Sequence, residues 1–518
     1  MALPDFLALH ALSNPDKPAA IEDRPGGPVV TWTYGELNRQ ANRVANMMLG
    51  LGVQPRDKVV WCGMNSLPVA TLGHAAGKIK ATAVPLNYRL SPDEATYVVD
   101  NSDAVLVYAD AEYASLFAKI RGNIPKVRNV VIFDGAPGPD MLDGDALVAQ
   151  ASDAAPEIES EVDAATMIYT SGTTGNPKGA VRTGTGDPEQ LAALLGEIGY
   201  TPDDIYLTTG PLYHSGPGGF MAIAFILGNT CVIQRKFDPE DWLRLVEKYR
   251  VTSTFSAPTP IRMICNLDAA VKSRYDSSSL RIMIANAAPW SFALKQAYLA
   301  DFPQDSLWEI YGSTELGVNS LLAPADQLRK PGSCGRAAPG VELRLFNEDG
   351  NVVTEPEVPG ELFIRSKSSF DTYYKAEDQF ENSRRGDYHS VGDVAYFDEE
   401  GYFYICDRKG DMIISGGMNI YPAEIEAALE QHPRIFDVAV FGIPDEQWGE
   451  KVHATIVVQP GETLSEEQVV EFAREHLAGY RLPRSIEFAA EIPRTGSGKI
   501  LKRQLREPFW KDRGSRVI

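Results

Sequence analysis

One stretch constrains this chain more than any other: Tyr169-Thr170-Ser171-Gly172-Thr173-Thr174-Gly175-Asn176-Pro177-Lys178-Gly179-Ala180. The apolar run from Ala164 to Tyr169 is bounded by polar residues and reads as a short buried strand. Ala180 to Thr183 reads as the start of another. Between them lie three glycines, four hydroxyl residues and one lysine. Glycines let successive backbone N–H groups turn inward and form an anion-binding concavity. The hydroxyls add neutral donors and Lys178 adds a point charge, a set that suits a polyphosphate. A Walker-type loop needs Gly-Lys followed by Ser or Thr at a helix start. Here Pro177 precedes Lys178 and Gly179 follows it, and both disfavour continuous helix. The loop therefore reads as a link between two strands.

Around this loop, strand and helix alternate. Thr33-Tyr34-Gly35-Glu36 is a capping box, and Leu37, Ala41, Val44, Ala45, Met48 and Leu49 follow at helical spacing. Lys58 to Trp61 reads as a buried strand, Leu67 to Lys78 as a helix, and Ala81 to Pro85 as the next strand. Val105 to Ala109 and Asn129 to Phe133 are further strands. Such alternation predicts a largely parallel, helix-covered sheet. Residues 134 to 163 read as a surface connection. Beyond the loop, Leu191 to Ile198, Phe220 to Leu227 and Trp242 to Tyr249 read as helices. Ile205 to Thr208, Thr252 to Ser256 and Arg281 to Ala285 read as strands.

A second motif is Trp308-Glu309-Ile310-Tyr311-Gly312-Ser313-Thr314-Glu315. A strand ends there in an aromatic, a glycine, two hydroxyls and a carboxylate. Tyr311 can stack on a flat base, Gly312 permits close approach, and Ser313 and Thr314 can bond phosphate oxygens. Glu315 can hold magnesium, which prefers oxygen ligands. Val341 to Phe346, Gly360 to Arg365 and Val391 to Phe397 then form an alternating β-rich region. Asp393 and Arg408 stand at strand ends. The end of the chain reads as a small α+β unit, with a helix from Pro422 to Gln431 and strands at Phe436 to Gly442 and His453 to Val458. A helix starting near Leu464 and the Gly-flanked lysine of Pro493-Arg494-Thr495-Gly496-Ser497-Gly498-Lys499-Ile500 complete it.

Composition narrows the function. The 518 residues carry a formal net charge of −21, which argues against general nucleic-acid binding. An anionic ligand must then be attracted locally. The five cysteines have no metal-ligand spacing, and no H-x-x-x-H pair supports a zinc hydrolase. No signal peptide or bilayer-spanning run is evident, so a cytoplasmic protein without an integral membrane segment is expected.

The phosphate loop, the Tyr311–Glu315 segment, the Asp393–Gly417 segment and the Lys499 loop occur in the order that marks the adenylate-forming superfamily. This group comprises acyl-CoA synthetases, peptide-synthetase adenylation domains and luciferases. The chain most resembles its bacterial fatty-acyl or aryl carboxylate–CoA ligases, and the resemblance covers nearly the whole length. It implies an α/β large domain over 1–409, built of helix-covered, mostly parallel sheets with a small barrel-like subdomain. A mobile α+β cap over 410–518 follows. The implied reaction joins a carboxylate to coenzyme A through an acyl-adenylate, using ATP and Mg²⁺ and releasing AMP and pyrophosphate.

Residue by residue, the resemblance implies catalytic roles for Lys499, Glu315, Thr174 and His214, with Glu315 on the metal. Nucleotide contacts are expected from Thr170, Ser171, Gly172, Thr173, Thr174, Gly175 and Lys178, and from Ala287, Ala288 and Pro289. Further contacts are expected from Glu309, Ile310, Tyr311, Gly312, Ser313 and Thr314, and from Asp393, Arg408 and Lys499. An acyl pocket is expected at His214, Gly218, Ala287, Gly312, Gly317 and Val318. The hinge falls at Gly410, and Ser415, Gly416 and Gly417 face the CoA side. Two positions depart from the family pattern: Asn286, where glycine is usual, and Gly410, where Asp or Lys is usual. An amide synthetase, a ligase loading a separate carrier protein, and a non-catalytic nucleotide-binding regulator remain as alternatives. The resemblance also allows a homodimer, and the particular carboxylate stays open.

Overall fold

The computed structural model describes residues 4–170, 177–184, 186–286, 288, 290–494 and 500–511. Two large sheets carry most of the chain. The first runs in the order Arg336–Ala337, Gly317–Leu322, Leu307–Ser313, Ile282–Ala285, Ser253–Ser256, Ile205–Thr208, Thr230–Ile233, Pro18–Asp23, Val29–Thr33. Its centre is parallel and its edges antiparallel. The second runs Thr372–Tyr374, Lys178–Thr183, Ala165–Thr170, Thr82–Pro85, Lys58–Cys62, Ala104–Asp110, Asn129–Phe133, Leu142–Asp143. It too is parallel except where Lys178–Thr183 joins it. Parallel pairing needs crossover helices on the faces, and the alternation in the sequence supplies them.

The Tyr34–Gly50 helix starts on the Thr33 capping box, with both reciprocal hydrogen bonds formed. Its face Leu37, Ala41, Val44, Ala45 and Met48 is buried in a core shared by both sheets. The Leu67–Lys78 helix matches its expected bounds. A third, antiparallel sheet is built on Glu342–Phe346, Gly360–Arg365, Asp393–Phe397 and Phe403–Arg408. A fourth joins Ile413–Ser415, Met418–Ile420, Ile435–Asp445, Gly449–Val458 and Ser485–Phe488, and buries Ile425 and Leu429 of the Pro422–Leu429 helix. The α/β fold expected from the sequence is present.

Some elements differ from expectation. The 134–163 connection contains the Leu142–Asp143 strand and the Gly144–Gln150 helix, started by Asp143, whose carboxylate accepts the Ala146 N–H. The helix expected from Phe220 begins at Ser215. Gly216, Pro217, Gly218 and Gly219 are weak helix formers, yet proline is tolerated in a first helical turn, where its missing N–H has no partner to lose. A final helix, Lys502–Trp510, was not anticipated.

Candidate active site

The phosphate loop joins two antiparallel strands, with Thr170 paired to Lys178 across its base. Side chains from two other segments hold this base. The Thr170 hydroxyl donates to Glu315 Oε1 at 3.0 Å and the Tyr373 hydroxyl donates to the same oxygen at 3.1 Å. Lys178 Nζ lies 5.3 Å from the centre of the Tyr373 ring. The two motifs, 145 residues apart, therefore meet. Arg182 fixes the turn carrying Glu315: its guanidinium donates to the carbonyls of Thr314 and Glu315 at 3.1 and 3.2 Å, and to that of Ser368. Phe370 N–H donates to the Glu315 carbonyl at 2.7 Å. Tyr373 and Arg182 carried no motif in the sequence. Only the strand pairing of Thr372–Tyr374 with Lys178–Thr183 brings Tyr373 to the loop.

The second motif turns sharply. Gly312 pairs with Val318 and Ser313 with Gly317, and Gly317 takes a φ of +71°. A Cβ on Gly312 would collide with the Gly317 carbonyl oxygen, so glycine is required at both places. The Thr314 and Ser215 hydroxyls lie 2.8 Å apart. Ser313 Oγ accepts the Leu316 N–H at 3.1 Å. Tyr311 donates its hydroxyl to Asp393 at 2.5 Å, and Arg408 Nε stands 3.5 Å from that carboxylate. Burial and the neighbouring Asp393 push the Tyr311 phenol well up, so it stays a donor.

Behind this strand, Glu309 forms a buried ion pair with Lys295. Burial raises the Glu309 carboxyl against the pull of Lys295. On the next residue of the strand, the Ile310 carbonyl accepts Asn286 Nδ2 at 2.7 Å. Asn286, the departure from glycine, so ties the strand end Ile282–Ala285 to its neighbour.

A cavity of about 1240 Å³ opens beside these groups, with His214, Gly218, Asn286, Gly312, Gly317 and Val318 on its wall. His214 precedes the Ser215–Leu227 helix and its ring packs on Tyr213 at 4.3 Å between centroids. Arg494 also lines the cavity, held by Asp437 at 2.6 Å, and its backbone bridges to Ile500. Ala288 follows the Ile282–Ala285 strand. Ser171, Gly172, Thr173, Thr174, Gly175, Ala287, Pro289 and Lys499 lie outside the described residues. Further along the chain, Gly416 and Gly417 have φ of +58° and +80° and turn the hairpin between Ile413–Ser415 and Met418–Ile420. Ser415 is buried, and the Gly410 carbonyl faces Arg506 at 3.4 Å.

Two family models match, "AMP-binding enzyme" over residues 7–374 and "AMP-binding enzyme C-terminal domain" over 424–499. The chain belongs to the AMP-binding enzyme family. This AMP-binding enzyme is 35% identical over 503 residues to a feruloyl-CoA synthase of Amycolatopsis sp, covering 95% of this chain and 96% of the relative. It is 33% identical over 481 residues to the long-chain-fatty-acid–CoA ligase FadD13 of Mycobacterium tuberculosis, covering 93% of each. Among solved structures, ATP-bound MatB from Rhodopseudomonas palustris superposes with a TM-score of 0.87 at 28% identity over 99% of both chains. Among the described residues, no helix of the AMP-binding enzyme is long and apolar enough to cross a membrane.

Proposed function

We propose that the chain is an ATP-dependent carboxylate–CoA ligase working through an acyl-adenylate. The observation that carries this reading is the meeting of Thr170, where the strand enters the loop, with Glu315 and Tyr373, Glu315 standing one residue beyond Thr314 on the cavity wall. In this reading the polyphosphate is held next to the cavity that takes the carboxylate. The names of the relatives, a feruloyl-CoA synthase and a fatty-acid–CoA ligase, support CoA as the acceptor.

In the first half-reaction a carboxylate oxygen bonds to the α-phosphorus of ATP and the bond to pyrophosphate breaks. Like charges must approach, so the protein acts by positioning and neutralisation. The loop from Ser171 to Lys178 holds the departing pyrophosphate. Lys499 offsets charge between carboxylate and α-phosphate; Arg494, five residues earlier, already lines the cavity. Tyr311 stacks on adenine, while Asp393 and Arg408 take the ribose and phosphate side. Glu315 and the adjoining hydroxyls are hard oxygen donors and would hold Mg²⁺, an ion that prefers oxygen ligands. Among the described residues, no three His, Cys, Asp or Glu side chains cluster to hold a metal. When bound, the ion supplies neutralisation of phosphate charge. In the second half-reaction a CoA thiolate bonds to the acyl carbon and AMP leaves, after residues 410–518 turn about Gly410.

ATP–pyrophosphate exchange with a panel of carboxylates tests the reading. Exchange should depend on the carboxylate and fall at least about tenfold in Glu315→Gln. Absence of exchange with every carboxylate contradicts it.

A further inference from the structure

The cavity includes the space beside Ser313, Thr314 and Arg494, and away from these groups it has a direction. The Leu67–Lys78 and Ser215–Leu227 helices flank it and both start at the reacting end. Asn65, just before the first, donates to the Gly210 carbonyl at 3.0 Å and accepts the Leu212 N–H at 2.9 Å. Ser215, opening the second, meets Thr314. The second helix contributes wall residues from Ser215 to Ile226, a run of roughly 16 Å at helical rise. The first contributes Val69, Ala70, Gly73, Ala76 and Gly77, the spacing of one helical face, with His74 and Lys78 at its border.

Space between the helices is kept by glycine. A Cβ added at Gly73, Gly77 or Gly219 meets nothing within 4 Å, and none of the three takes a positive φ. These glycines serve no turn, and Gly73 and Gly77 cost helix stability. At the far end the wall becomes polar. The His74 ring meets Phe225 at 5.0 Å and has no hydrogen-bond partner among the described residues. Lys78 Nζ lies 2.8 Å from Asn38 Oδ1 and is paired with Asp5 at 2.5 Å. Burial brings the His74 imidazolium down to about 4, so the neutral ring offers one donor and one acceptor at pH 7.

We infer that the acyl substrate is an elongated carboxylate. Its apolar body lies between these two helices, and its far end carries a hydrogen-bonding group received by His74 and Lys78. The inference rests on the ligase reading above and narrows its substrate class. It excludes a compact aryl acid as the preferred substrate, since a benzoyl group would leave most of the channel unfilled.

The test compares benzoate, dodecanoate and ω-hydroxydodecanoate on the full chain, with binding read by isothermal titration calorimetry and turnover by pyrophosphate release. Both long acids should bind more than about tenfold tighter than benzoate, and the hydroxy acid about fivefold tighter than dodecanoate. Gly73→Leu, which favours helix, should lower the dodecanoate-to-benzoate affinity ratio about tenfold. His74→Phe should equalise the two long acids. Benzoate binding as well as the long acids, an unchanged ratio in Gly73→Leu, or equal long-acid affinities in the unsubstituted chain overturns the inference. Turnover of benzoate without long-acid binding would sink the channel and leave the ligase reading standing. Long-acid binding in the expected pattern without pyrophosphate release from any acid would do the reverse.

Discussion

At Gly312 the site has no room to give. The backbone of the Gly312–Gly317 turn is in contact with itself, so a methyl group there must push one strand aside. Gly312→Ala should cost about 1–3 kcal/mol of stability and lower kcat/KM at least about tenfold, read from urea unfolding and initial rates. An unchanged rate would mean that the turn does not border the reacting groups. His453 makes a different kind of prediction. It is buried against Ser485, with the ring 2.9 Å from the hydroxyl, and burial brings its imidazolium from the ordinary 6.5 down to about 4. The unfolded chain takes up that proton near 6.5, whereas the folded chain resists it until about 4. His453 thus contributes stability that is present above 6.5 and lost as pH falls toward 4. The urea midpoint should drop between pH 7 and pH 5, and His453→Gln should shrink that drop. An identical drop in the variant contradicts it.

Elements that rest on local chemistry were legible before any coordinates. The Thr33–Glu36 capping box read from the sequence forms completely, because a cap needs only residues three apart; Ser91–Glu94 and Ser465–Gln468, not read as such, form complete boxes too. Thr33→Ala should cost about 1 kcal/mol, seen as a lower urea midpoint that Thr33→Ser restores; no change on Ala substitution would show that packing alone holds the helix. The strand–loop–strand reading of the phosphate segment was legible too, from Pro177 and Gly179. What stayed hidden is non-local. Pro18–Asp23 lies beside Thr230–Ile233, some two hundred residues on, and no periodicity announces such a neighbour. Tyr373 is invisible for the same reason: nothing within its own segment points to Glu315. His74 and Gly73 read as ordinary helix, and their cavity exists only once the Ser215–Leu227 helix stands opposite.

For the whole molecule, the ligase reading requires residues 410–518 to serve two half-reactions in turn. Gly410 sits where the chain leaves Arg408 for the last sheet, and Arg506 of the final helix pairs with neighbouring Asp411 at 2.9 Å. Gly410→Pro restricts φ at that point. It should retain carboxylate-dependent pyrophosphate release but lose acyl-CoA formation at least about tenfold, with both measured on one sample. Full acyl-CoA turnover in this variant would move the turning point elsewhere. The most direct test follows all products by mass spectrometry after incubation with ATP, Mg²⁺, a long-chain carboxylate and CoA, for the unsubstituted chain and for Lys499→Ala. The unsubstituted chain should yield acyl-CoA, AMP and pyrophosphate in equal amounts. Lys499→Ala should yield almost none of them from carboxylate and ATP, yet still convert a supplied acyl-adenylate to acyl-CoA. Formation of ADP and phosphate, or equal loss of both half-reactions in Lys499→Ala, would contradict a ligase that divides its work this way.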